Sequence, residues 1–182
     1  FIYSVADATH AYVVITEIGG TIGDMESQPI LEAIRQVGHE VGPSNCLYIH
    51  VTLVPYLNAA GELKTKPTQH SVKDLSGIGI APDILVCRAD HELPYEVRAK
   101  ISMFCNLPVE RVFQNLNARS LYEVPLMLHN EGLDHQVVKL LNLPDKEGDL
   151  TEWTAMVHRQ MESTATVTVG LVGKYVELPD AY

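Results

Sequence analysis

The chain has 182 residues, 46% of them hydrophobic and 20% charged, with a formal net charge of −10. That is an ordinary composition for one globular domain. The acidic excess argues against a general nucleic-acid-binding surface, and no apolar run approaches the roughly 20 residues of a membrane span.

Residues 1 to 11 carry no clear structural signal. They lack the basic start of a secretory leader and contain Asp7, so a cytoplasmic location is the default expectation. Three widely spaced cysteines, Cys46, Cys87 and Cys105, suit buried reduced thiols better than a disulfide framework. They show no zinc-like spacing. The missing methionine at Phe1 and the stop at Asp180-Ala181-Tyr182 read as cuts through a larger protein.

The β-branched run Val13 to Thr16 reads as a short buried strand. Glu17 stands at its carboxyl end, where open α/β sheets place their ligands. Gly19, Gly20 and Gly23 follow, and Asp24 and Glu26 project from the turn. A lone strand with two glycines is usually only a strand end. Three acids among three glycines shift the reading toward a polar site that a hard cation such as Mg²⁺ would suit.

Ser27 is placed to cap a helix over residues 29 to 41, whose apolar positions Ile30, Ile34, Val37 and Val41 recur at helical spacing. Cys46 to Leu53 is a second strand with a loop beyond it. Lys64-Thr65-Lys66-Pro67-Thr68-Gln69 then concentrates positive charge, hydroxyls and an amide before a helix that runs on through Val72 and Leu75. Charge runs are usually solvated. Lysines before a helix N-terminus can instead hold an anion, because the open backbone N–H groups and the helix dipole act together.

Ile84 to Cys87 is a third strand with Arg88, Asp90 and His91 at its exit. A helix is expected from Pro94 to Asn106; Lys100 lies on it, and its position alone assigns it no role. Val109 to Phe113 is β-like, 114 to 120 a polar loop, and Tyr122 to Glu131 helical. Val137, Val138, Leu140 and Leu141 line another short helix. Asp149 and Glu152 have the spacing of a capping box. Residues 163 to 166 read as linker and Val167 to Tyr175 as a fresh strand. Gly173-Lys174 lacks the earlier glycine and following Ser or Thr of a phosphate loop. Gly77 and Gly79 precede a strand and so make no dinucleotide fingerprint. Alternating strands and helices predict an α/β fold, a three-layer and mostly parallel sheet with right-handed connections.

Four stretches in register carry a resemblance: Glu17 to Ser27, Lys64 to Val72, Pro82 to Arg88, and Val172 to Tyr182. Together they resemble CTP synthase from about Val13 to the end. The resemblance implies an ATP-dependent ligase that aminates UTP to CTP through a 4-phosphorylated UTP. A glutaminase domain supplies ammonia from glutamine, and GTP enters as an allosteric activator. It implies a P-loop NTPase-like fold, similar to dethiobiotin synthetase, in a homotetramer. The chain would then be the later part of the synthetase domain (1–145), a helical linker (146–166) and the start of the glutamine amidotransferase domain (167–182), lacking the N-terminal part.

By resemblance, Glu17 is the Mg²⁺ ligand beside the ATP phosphates. Asp24, Met25 and Glu26 contact UTP or CTP, as do Lys64, Thr65, Lys66, Pro67, Thr68 and Gln69, and Lys100 is a further nucleotide lysine. Leu116, Asn117 and Ala118 lie near the ATP adenine, although the family usually has Asp where Asn117 stands. The family's P-loop, second lysine and Mg²⁺-binding aspartate have no equivalent before Val13, and residues 1 to 10 do not share the resemblance. The glutaminase triad is also absent, so none of the three cysteines is its nucleophile. No residue here is assigned a catalytic role. The chain alone is expected to be inert, and the alternative is a pyrimidine-nucleotide-binding or assembly module.

Overall fold

The computed structural model describes residues 2–174, 176 and 177. Two compact units divide between Gly148 and Asp149.

The first unit begins with α1 (Ile2–Thr9), which buries none of its residues. An irregular segment leads into a short 3-10 turn, Met25–Ser27, and α2 (Gln28–Val41). Then come β1 (Ile49–Leu53), the hairpin β2 (Tyr56–Leu57) with β3 (Glu62–Leu63), and α3 (Lys66–Gly77). β4 (Ile84–Ala89), α4 (Tyr95–Cys105) and β5 (Val112–Leu116) follow. α5 (Val124–Asn130) and α6 (Leu133–Leu140) close the unit. The second unit holds α7 (Thr151–Glu162).

Strands β1, β4 and β5 form a parallel sheet in the order β1-β4-β5. Pairing runs from Ile49 with Ile84 to Leu53 with Arg88, and from Leu85 with Val112 to Ala89 with Leu116. The central strand β4 is apolar on both faces, as a strand covered by helices must be. Its alternation sorts the core into two layers. Leu85, Cys87 and Ala89 pack with Val72 of α3, Ile101 and Cys105 of α4, and Val112. Ile84, Val86 and Phe113 pack with Leu128 of α5 and with Leu133, Val137 and Leu140 of α6. Helices therefore cover both faces, and the expected three-layer parallel α/β arrangement is present.

Buried polar groups tie the layers together. The Thr68 hydroxyl of α3 donates to the Leu53 carbonyl oxygen at 3.0 Å and lies 3.0 Å from the Thr52 hydroxyl. Arg98 of α4 pairs with Glu131 at 2.8 Å, and Gln114 of β5 donates to Glu131 at 2.9 Å while accepting from Leu93 N–H. All three cysteines are free thiols, and burial pushes the Cys87 thiol up to about 11, so it stays protonated.

Several local expectations are corrected. Val13 to Thr16 makes no strand: it pairs with nothing among the described residues, and Ile15 is 91% exposed. An apolar β-branched run becomes a strand only where a ladder partner exists. Ser27 makes no capping hydrogen bond, because the preceding 3-10 turn holds it at helical angles where a cap needs an extended residue. The second strand starts at Ile49 and not Cys46. The expected polar loop from 114 begins inside β5, because the amide of Gln114 is satisfied across the sheet end. α7 begins at Thr151 with Leu150 at its cap position, so Asp149 and Glu152 do not form the box; Asp149 instead accepts from Thr151 N–H at 3.0 Å. Residues 167 to 173 make no strand and are exposed. Tyr175 and residues 178–182 lie outside the described residues.

Candidate functional site

The carboxyl ends of all three parallel strands open on one side, the usual place for a ligand in such sheets. A cleft of about 260 Å³ lies there. It is lined by Leu53 at the end of β1 and Val54 after it, by Pro55 and Tyr56, by Arg88 to Asp90 of the β4 exit, and by Asn117 after β5. Arg88 organises it. Its guanidinium donates to the carbonyl oxygens of Asn115 at 2.7 Å and Leu116 at 2.9 Å, and to Asn117 Oδ1 at 3.0 Å. Tyr56 stacks on His91 with ring centroids 3.9 Å apart. Asn117 is the expected site residue that reaches this cleft; Leu116 and Ala118 flank it, both partly buried. Arg88, Tyr56 and Asp90 were not singled out as site residues from the sequence. The signal that points to Arg88 is its position at a strand exit.

The lysine stretch takes its shape from the hairpin and α3. Lys64 N–H donates to the Pro55 carbonyl at 2.9 Å, which sets Lys64 at the end of β3, one turn before the helix. Pro67 fits the first turn because that position needs no N–H donor. Lys66 is exposed at the helix start. Thr65 is buried, and its hydroxyl accepts from Gln69 Nε2 at 3.0 Å. Thr68 is fully buried, and its hydroxyl is committed to β1. Of the six expected positions, Lys66 is exposed and Lys64 half-exposed, whereas Thr65, Thr68 and the half-buried Gln69 are engaged at the helix start.

Lys64 pairs with Glu62. The hydrogen bond from Lys64 holds the Glu62 carboxyl below the usual carboxylate range; the charge of Lys64 adds to this, as does the charge of Lys100. Two lysines that lie far apart in sequence, one after a hairpin and one on α4, therefore act on the same carboxylate. Lys100 is expected in this site by resemblance only; here it is the smallest of the influences that lower the Glu62 carboxyl.

The third neighbourhood is the segment from Glu17 to Ser27. Asp24 closes it: its carboxylate accepts from Thr21 N–H at 2.7 Å and from the Thr21 hydroxyl at 2.8 Å. Thr21 N–H, and then the hydroxyl, hold the Asp24 carboxyl below its ordinary value. Gly20 is required here. Its φ is +85°, and a Cβ would meet Asp24 Oδ2 at 2.7 Å. Glu17, Met25 and Glu26 are exposed. Among the described residues, no hydrogen bond or ion pair joins this segment to the lysines or the cleft.

A single exposed carboxylate such as Glu17 fits Mg²⁺ chemistry, since that ion is commonly held by one or two carboxylates with phosphate oxygens and water filling the rest. Among the described residues no helix is long and apolar enough to cross a membrane.

Comparison with known proteins adds an independent line. The family model described as CTP synthase N-terminus matches residues 1–143. The CTP synthase of Ruminiclostridium cellulolyticum is 61% identical over 181 residues, covering 100% of this chain and 34% of that protein. The CTP synthases of Clostridium acetobutylicum and Desulfitobacterium hafniense are 59% and 55% identical over the same span. The chain thus spans about a third of the length of these relatives. The matches take in residues 1 to 10, which the sequence motifs had left outside the resemblance.

Proposed function

The chain belongs to the CTP synthase family, and from that premise we propose that it carries the pyrimidine-nucleotide side of a ligase that aminates UTP to CTP. In that reaction ATP phosphorylates the 4-oxygen of the uracil ring, and ammonia derived from glutamine displaces the phosphate. The complete protein would be a homotetramer of P-loop NTPase-like synthetase domains, each joined to a glutamine amidotransferase domain. The parallel sheet with helices on both faces is compatible with this reading.

The observation that carries the proposal is that Lys64, fixed at the end of the hairpin just before α3, already holds an anion, the Glu62 carboxylate. With Lys66 at the start of α3, Lys64 makes a cationic corner in a chain of net charge −10. The triphosphate of UTP or CTP would take the place of the Glu62 carboxylate, with Gln69 as a further donor and the helix N-terminus adding open N–H groups. Thr65, Pro67 and Thr68 hold this corner rigid. Asp24 keeps the turn closed, so that Met25 and Glu26 are presented to the pyrimidine nucleotide. Asn117, positioned by Arg88, would sit beside the ATP base with Leu116 and Ala118.

Glu17 would hold Mg²⁺, which when bound supplies charge neutralisation at the transferring phosphates. The protein's own contribution to such a transfer is placement and electrostatics.

Isothermal titration of UTP into the protein, and into a Lys64→Ala/Lys66→Ala variant, tests the reading. Saturable binding that weakens at least tenfold in the variant is the expected result. Equal affinity in the two proteins would refute the assignment of these lysines.

A further inference from the structure

On the face of the molecule formed by α5 and α6, two histidines and an aspartate come together outside the nucleotide site. The fold explains why. α5 ends at Asn130, and the two-residue turn Glu131-Gly132, with Gly132 at φ +83°, reverses the chain into α6. Leu128, Leu133, Val137 and Leu140 are drawn under the sheet. That fixes the last turn of α5 against the first turn of α6, where His129 meets Asp134 and His135. His129 Nδ1 lies 2.6 Å from Asp134 Oδ2, and the two imidazole rings are 5.9 Å apart at 39°. One ligand atom from each of the three residues lies within 4.8 Å of those of the other two.

A fourth group comes from the loop beyond α6. Asn142 at φ +52° turns the chain, and Asp145 reaches back to place Oδ1 3.0 Å from His135 Nδ1. A carboxylate on one imidazole nitrogen fixes the ring and leaves the other nitrogen for an ion, which is the usual outer-shell arrangement of metal-bound histidine.

We propose that His129, Asp134 and His135 bind one borderline divalent ion of the Zn²⁺ class, with Asp145 orienting His135. Two imidazoles and one carboxylate select Zn²⁺, Co²⁺ or Ni²⁺ over Mg²⁺, whose preferred donors are oxygens. The distances need only small adjustment. Ligand atoms about 2 Å from a tetrahedral ion stand roughly 3.3 Å apart. The 2.6 Å pair must open by part of an ångström and the 4.8 Å limit must contract. The side chains are 27% exposed at His129 and 46% at Asp134, so both have room to move. Three protein ligands leave one position for water. The ion would clamp α5, α6 and the following loop, on the opposite sheet face from α3 and α4 and distinct from the Mg²⁺ expected at Glu17.

The bland alternative is two histidine–carboxylate pairs that hold the loop without an ion. Titration of chelator-treated protein with Co²⁺ alone, in the absence of nucleotide, separates the two. The expected result is one equivalent bound, with the visible absorption of tetrahedral Co²⁺, displaced by Zn²⁺ but not by Mg²⁺. His135→Gln should weaken uptake at least tenfold, and Asp145→Asn about 10- to 100-fold. Equal uptake by wild type and His135→Gln, or displacement by Mg²⁺, would overturn the proposal. If His135→Gln does not fold, the X-ray absorption spectrum of the Co²⁺-loaded wild type decides. Two imidazole nitrogens on the metal support the site, and any other nitrogen count contradicts it.

Discussion

The wall made by β1 and α3 and the segment from Glu17 to Ser27 both carry candidate nucleotide residues, but they are built by different means. The wall is locked by groups distant in sequence. Thr68 is fully buried against Thr52 and the Leu53 carbonyl, and Lys64 is pinned to Pro55. The turn of the other segment is held by Asp24 on Thr21, three residues away, and Glu17, Met25 and Glu26 face solvent. A corner locked by tertiary contacts is organised before a ligand arrives, and a locally closed loop is the natural place for adjustment on binding. The lysine side would therefore set affinity, while the acidic side would be ordered by the nucleotide and its cation.

Substitutions can break this contrast, and the largest effect belongs to the wall. Thr68→Val keeps the shape but takes the hydroxyl donor from the Leu53 carbonyl, while the Thr52 hydroxyl keeps Cys87 Sγ at 3.7 Å. It should cost about 1–3 kcal/mol in urea denaturation. A loss below the error of the measurement would show that the hydroxyls do not lock the helix.

A smaller effect sharpens the same point through pH. His50 of β1 lies 2.8 Å from the Ser71 hydroxyl of α3, and burial holds its pKa below the ordinary value. Folding therefore favours the neutral ring. Its contribution is intact above the unfolded value of about 6.5 and is lost as pH falls through that value. Urea midpoints at pH 7.5 and 5.5 should fall further apart in wild type than in His50→Gln. Equal differences would exclude His50 as a source of the slope.

The smallest effect lies in the acidic segment. Asp24→Asn weakens only a local closure and should change global stability by no more than about 0.5 kcal/mol, while loosening the turn in amide exchange. A large global loss would mean that the segment is packed as firmly as the wall.

What the sequence discloses follows the same division. β4 and α4 were legible because each carries an apolar pattern that packing then uses; α2 forms as a helix, but Ile30 of its expected apolar face is exposed and the buried residue is Leu31. Val13 to Thr16 has the composition of a strand, but pairing is a tertiary property that composition cannot report. The start of β5 within a polar run was hidden because Gln114 belongs to the network of Leu93, Arg98 and Glu131, none of them near it in sequence. Within the site, the Lys64 to Gln69 stretch was visible as charge before a helix. Its partner was not: Glu62 joins it through the hairpin. Thr65 and Thr68 read as outward hydroxyls, because a sequence does not show which face of a first helical turn is covered.

The central claim is that Glu62 holds the place of a phosphate beside Lys64, and a UTP titration of Glu62→Gln tests it most directly. Removing the competing carboxylate should tighten UTP binding by up to about fivefold, the scale of one exposed ion pair. Unchanged or weaker binding would mean that Lys64 pairs with Glu62 without forming a nucleotide site.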